Sequence, residues 1–198
     1  MINTNNQKRF LKSLWPYILI ATVIFVISII IGLLVNPEIS RNIIEELKET
    51  LAPLESLGPL ALLIVIILNN TIKALFSIIL GIVVGLPSLL FVGFNGFTIG
   101  VVVSAFQYDI GFIPMVAGLA PHGIIEIPLL LLSTSLGLIV GMEVIKFIAR
   151  RKSQVKATLK QSLILYAKWI LPGLIIAALI EVFITPLAII FFNRIEIR

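Results

Sequence analysis

The chain has 198 residues, 59% of them hydrophobic and 13% charged, with a formal net charge of +5 and a mean hydropathy of +1.14. So little polar surface cannot coat a water-soluble globule, so the apolar excess faces lipid and the chain reads as an integral membrane protein. It has no cysteine, which excludes disulfide frameworks, thiolate metal sites and haem attachment. The basic residues cluster at the ends of apolar runs, where they report topology and not nucleic-acid binding.

Residues 1–16 carry Lys8, Arg9 and Lys12 and read as a cytoplasmic N-terminus. The first span, 17–35, is 19 residues without a charge, enough at about 1.5 Å per residue to cross a hydrocarbon core of about 30 Å. Val35-Asn36-Pro37 offers no small-residue cleavage site, so the run reads as a retained anchor. Residues 36–58 set five glutamates against Arg41 and Lys48, a segment tolerated outside. Asn36 can cap a helix that begins at Pro37, and Ile39, Ile43, Leu47 and Leu51 recur every four residues beside Ile44. That predicts an amphipathic helix lying on the outer interface or on other spans, with its apolar stripe as an alternative docking face for protein partners.

Residues 59–149 form the core. From Pro59 to Phe106 there are 48 residues with one charge, Lys73, too many for a single crossing of about 20 residues. Gly85-Leu86-Pro87 places the break near 81–87. Tyr108 and Asp109 mark the outer interface, and a second interruption is expected near 120–123, at Ala120-Pro121-His122-Gly123. The ten residues 111–120 span only about 15 Å as helix and read as a re-entrant half-helix. A span then reaches Ile148, with Glu143 an interfacial partner for Lys146. A basic cytoplasmic loop follows over 150–165, where Arg150, Arg151, Lys152, Lys156 and Lys160 attract anionic lipid. Residues 166–193 make the last span and 194–198 a tail. The expected fold is all-α, a polytopic transmembrane helical bundle of about five crossings plus one re-entrant half-helix. Ten of the fifteen Lys and Arg then lie inside, with the N-terminus cytoplasmic and the C-terminus outside.

An ionisable group at membrane depth costs about 2.5 to 3.5 kcal/mol on insertion scales, so such groups face protein, water or each other. Lys73, His122, Glu126 and Glu181 are in that position. Asn69, Asn70, Lys73, Ser77 and Gly81 share one helix face at spacings of three and four, and His122 and Glu126 are four apart after Pro121. A Lys73 to Glu126 ion pair is the leading expected contact. The cluster can glue interrupted helices together, or it can form a permeation or binding site near the midplane. Glu181 is either a proton acceptor or a neutral acid bonded across helices. No catalytic constellation is legible: one histidine and no His-Glu-x-x-His leave no metal site, no serine has a Gly-x-Ser-x-Gly setting, and no cofactor is implied. Gly96, Gly100 and Ser104 repeat at four, as do Gly81 with Gly85 and Gly137 with Gly141. These smooth faces serve internal packing or a homodimer.

Four blocks carry a family resemblance: Asn69-Asn70-Thr71-Ile72-Lys73; Gly81 with Gly85; Phe94-Asn95-Gly96-Phe97-Thr98-Ile99-Gly100; and Pro121-His122-Gly123-Ile124-Ile125-Glu126-Ile127-Pro128. In order and spacing the chain resembles the stage II sporulation protein M family. The resemblance implies a polytopic membrane protein that anchors or scaffolds two partner proteins in dissolving septal peptidoglycan, without being the hydrolase. The sporulation role itself is not carried over to this chain. If the blocks are the family's signature, Asn70, Lys73, Asn95, Gly96, His122 and Glu126 meet in one place.

Overall fold

The computed structural model describes residues 4–55, 57–106 and 112–187. Among the described residues all regular structure is helical: α1 (Thr4–Ser13), α2 (Trp15–Leu33), α3 (Pro37–Glu55), α4 (Pro59–Ile79), α5 (Leu86–Phe106), α6 (Phe112–Ile148), α7 (Val155–Leu165) and α8 (Leu171–Phe183). Among the described residues five stretches are long and apolar enough to cross a membrane: Trp15–Leu33, Pro59–Ile82, Leu86–Phe106, Gly123–Ile148 and Val155–Leu187. The interface expected at Tyr108 and Asp109, residues 188–193 of the last span and the tail lie outside the described residues.

The most extensive helix pair is α2 with α5, and its cause is glycine. A Cβ placed on Gly100 would lie 2.8 Å from the Gly32 Cα, and one on Gly96 would lie 2.5 Å from the Phe25 carbonyl oxygen. The backbones therefore touch where these positions have no side chain. Gly81 and Gly137 bring α6 equally close to the α4 end, a Gly81 Cβ falling 2.8 Å from the Gly137 Cα. Between α4 and α5 the chain tightens into a 3₁₀ turn over Leu80–Ile82, then reverses through Val84 and Gly85, both at positive φ. A Cβ on Gly141 would meet the Gly85 Cα at 2.6 Å, so this turn is wedged against α6. All three glycine series close helix crossings within the chain.

Two expectations are corrected. The apolar run 111–120 predicts a separate half-helix ending at a break near 120–123, but Phe112–Ile148 is one helix of 37 residues running through Pro121 and Pro128. Each proline removes one helical hydrogen bond, a loss that membrane helices tolerate when neighbours repair it. At about 1.5 Å per residue α6 is about 55 Å long, well beyond one hydrocarbon core. The basic loop expected over 150–165 is also much shorter. Arg150 takes φ 53 and the Arg151 N–H donates to the Lys146 carbonyl at 2.8 Å, an αL helix ending that turns the chain within a few residues. Lys156 and Lys160 thus ride on helix α7, spaced by four, with Thr158 and Ser162 buried on its other side. Glu143 holds the connection. It accepts from Lys146 Nζ and from the Gln154 N–H, both at 2.6 Å.

At the opposite end, Asn36 Oδ1 accepts from the Glu38 N–H at 2.8 Å and starts α3. The helix packs on α5 through Ile44, which is buried with Val101 and Ala105. Arg41 Nε donates to the Ala105 carbonyl at 3.2 Å, and Lys48 lies 5.2 Å from the Phe106 ring centroid. Ile39, Ile43 and Leu47 stay exposed, so the apolar stripe points away from the bundle. The main core joins Leu14, Ala74, Ile78, Leu136, Ile139, Tyr166, Ile170 and Leu174 from the start of α2 and from α4, α6 and the last span.

Candidate intramembrane polar site

Four helices converge on a cavity of about 80 Å³. Its polar wall consists of Asn69, Asn70 and Lys73 from α4, Asn95 from α5 and Glu126 from α6; Ala74, Phe91, Leu130 and Leu174 complete it. Asn69 lies ten residues after Pro59 and Lys73 nine before Ile82, which puts the site about 15 Å along the helix from either end of the crossing. That is the middle of a hydrocarbon core, where polar side chains need a reason to be. The volume corresponds to two or three waters at about 30 Å³ each.

Part of the polar capacity is spent locally. Asn69 Nδ2 donates to Asn70 Oδ1 at 3.1 Å and Asn95 Nδ2 to the Phe91 carbonyl at 2.7 Å. The ion pair expected between Lys73 and Glu126 is not formed. Among the described residues an ion pair joins Lys146 to Glu143, whereas Lys73 and Glu126 both line the cavity without being joined to each other. α4 and α6 touch at the Gly81–Gly137 crossing, and Phe91 of α5 and Leu174 of α8 line the same cavity.

Gly96 and Glu181 are not on the cavity wall. Gly96 is buried against α2, because the face of α5 that lacks side chains is the one needed for close approach, and Asn95 next to it turns the other way. Glu181 lies seven residues beyond Leu174 on the last span, about 10 Å farther along the axis. Gly123 is buried within α6. The side chain of His122 lies outside the described residues.

Sequence reasoning missed Tyr166 as a support of this site. Residues Tyr166–Ile170 form a π-helical turn immediately before Leu171-Pro172. Pro172 cannot donate to the helix ladder, and widening by one residue accommodates that gap. The turn aims the buried Tyr166 hydroxyl across the bundle, where it donates to the Thr71 carbonyl at 2.9 Å. Thr71 lies between Asn70 and Lys73, so this bond fixes the rotation of α4 that presents both to the cavity. A tyrosine six residues before a proline inside an apolar run was the available signal.

Beside the cavity, α4 is open to the surface. Asn69 and Lys73 are exposed on a face shared with Leu68, Ile72 and Phe76, which are 51%, 45% and 54% exposed. Among the described residues no group of three or more His, Asp or Glu side chains could hold a metal.

Apolar helices of crossing length around a mid-depth polar cavity define a multi-pass integral membrane protein. The chain belongs to the stage II sporulation protein M family, whose profile matches residues 21–186. It is 33% identical over 128 residues to an uncharacterised protein, MJ0793, of Methanocaldococcus jannaschii, a match covering 61% of this chain and 69% of that protein. No solved structure matches.

Proposed function

We propose that this family member is a non-enzymatic scaffold or assembly partner, seated in the cell membrane with its N-terminus cytoplasmic and its C-terminus outside. One observation carries the reading: Asn69 and Lys73 are exposed at mid-depth on the same face as Leu68, Ile72 and Phe76. A cation facing hydrocarbon is costly, and a neighbouring polar helix that covers it removes that cost. The exposed stripe of Ile39, Ile43 and Leu47 on α3 supplies a second surface for protein partners. The orientation rests on the cations of α1, the α6–α7 turn and α7 gathering at one end of the bundle. A photo-crosslinking residue at Ile72 tests the reading, with one at Leu19, an exposed position on α2, as control. Ile72 is expected to give a discrete protein adduct in membranes and Leu19 only lipid adducts. Identical lipid adducts from both would refute it.

The cavity favours a second reading, a transporter or channel whose midplane site is built from Lys73, His122 and Glu126. Lys73 and Glu126 share its wall, as a binding site between interrupted helices requires. Against it weighs the close backbone contact at the Gly81–Gly137 and Gly85–Gly141 positions, which disfavours passage between those two segments. Ion flux into proteoliposomes that is lost in Lys73→Met would favour this reading over the scaffold.

A further inference from the structure

A shallow, open groove, with all of its lining residues on α7 and the turn that follows, runs along α7 into the π-helical turn. We propose that it is a binding site for a phospholipid of net negative headgroup, with the phosphate held by Lys156 and Lys160 and an acyl chain lying along Leu163, Ile164 and Ala167. The proposal is independent of what the mid-depth cavity does.

Charge and geometry both select this occupant. Lys156 and Lys160 lie on one face of a helix at a spacing of four, where like charges repel. Neither has an ion-pair partner among the described residues, where Glu143 accepts from Lys146 and from the Gln154 N–H. Two uncompensated ammonium groups therefore stand at the mouth of a groove whose remaining wall, Leu159, Leu163, Ile164 and Ala167, is wholly apolar. The order along the helix matches a lipid's own. The cations come first, at the end of the bundle where the α6–α7 turn and the start of α2 lie, and the apolar wall follows for about 10 Å toward the core. Leu159 and Leu163 also pack against the main core, so the fold holds this face of α7 in place. A soluble anion would satisfy the lysines and leave the apolar wall uncovered. A neutral lipid would cover the wall and leave the lysines unpaired.

Native mass spectrometry of the detergent-purified full chain, titrated with phosphatidylglycerol, phosphatidylcholine or glycerol 3-phosphate, tests this. One phosphatidylglycerol is expected to be retained in preference to phosphatidylcholine, with glycerol 3-phosphate not retained. Neutralising each lysine is expected to weaken retention about fivefold, so that Lys156→Gln with Lys160→Gln weakens it about 25-fold. Ala167→Trp fills the groove with the charges intact and is expected to abolish the same binding event. Arg150→Gln with Arg151→Gln, which lie outside the groove, should leave it within about twofold. Equal loss in the arginine pair, or full retention in Ala167→Trp, would replace the built site with diffuse surface electrostatics. Retention of glycerol 3-phosphate would make it an anion site without a lipid. Each variant is compared as a monodisperse protein with an unchanged helical circular dichroism spectrum, so that loss of binding is not loss of fold.

Discussion

Replacing Gly100 by alanine tests whether backbone contact between α2 and α5 organises the bundle. The added Cβ would lie 2.8 Å from the Gly32 Cα and 2.8 Å from the Leu33 N. Ordinary carbon contacts are about 3.5 to 4.0 Å, so the helices must part by roughly 1 Å, and a gap of that size forfeits a quarter to a half of each neighbouring contact. Overpacking of this kind costs about 1 to 3 kcal/mol, while alanine's better helix propensity returns up to about 1 kcal/mol. The net expectation is a loss of about 1 to 2 kcal/mol. The control is Gly123→Ala in α6, where among the described residues the new Cβ would meet Ile127 Cδ1 at 3.7 Å, an ordinary contact, so stability is expected to stay level or rise with propensity. Thermal unfolding of both variants in one detergent, followed by circular dichroism, reads the difference. A Gly100→Ala protein as stable as the parent would refute the argument, because atoms this close cannot both stay in place.

Tyr166→Phe removes the hydrogen bond to the Thr71 carbonyl and is expected to cost about 0.5 to 1.5 kcal/mol in the same assay; no change would mean that the bond does not set the rotation of α4. Lys73→Met is expected to stabilise the purified protein, since it removes an exposed mid-membrane cation without an ion-pair partner among the described residues. A fall in its apparent Tm would instead reveal that Lys73 is held by the fold. For Glu143 and Lys146, whose side chains are 13% and 41% exposed, a double-mutant cycle with Glu143→Gln and Lys146→Met should give a coupling of about 0.5 to 1 kcal/mol, reduced by salt. A coupling near zero would leave Glu143 acting only through its bond to the Gln154 N–H.

Hydropathy and charge alone placed the spans, because the bilayer is a solvent of fixed thickness and every crossing must be about 20 apolar residues. They also located the polar residues of the site: Asn69, Asn70 and Lys73 share a helix face by spacing, and that face does line the cavity with Asn95 and Glu126. The asparagine cap before Pro37 was equally legible, being local chemistry. Local rules misjudged α6, because whether a proline ends a helix depends on neighbours that repair the lost bond. They misjudged 150–165 as well, because its cations read as loop when their helix also had a buried side.

Only the tertiary structure decided which faces meet. Gly96 looked like part of the polar cluster by its place beside Asn95, yet one residue along a helix is a turn of about 100°, and that turn sends Gly96 to α2 and Asn95 to the cavity. The glycine repeats specified close approach without specifying the partner, and packing gave every one of them to another helix of the same chain. Tyr166 reaches Thr71 across 95 residues of sequence, a contact that no periodicity encodes. The sequence determined what must be in the membrane and which residues are costly there. The packing decided which of those costs are met within the chain and which, at Asn69 and Lys73, are left open on its surface.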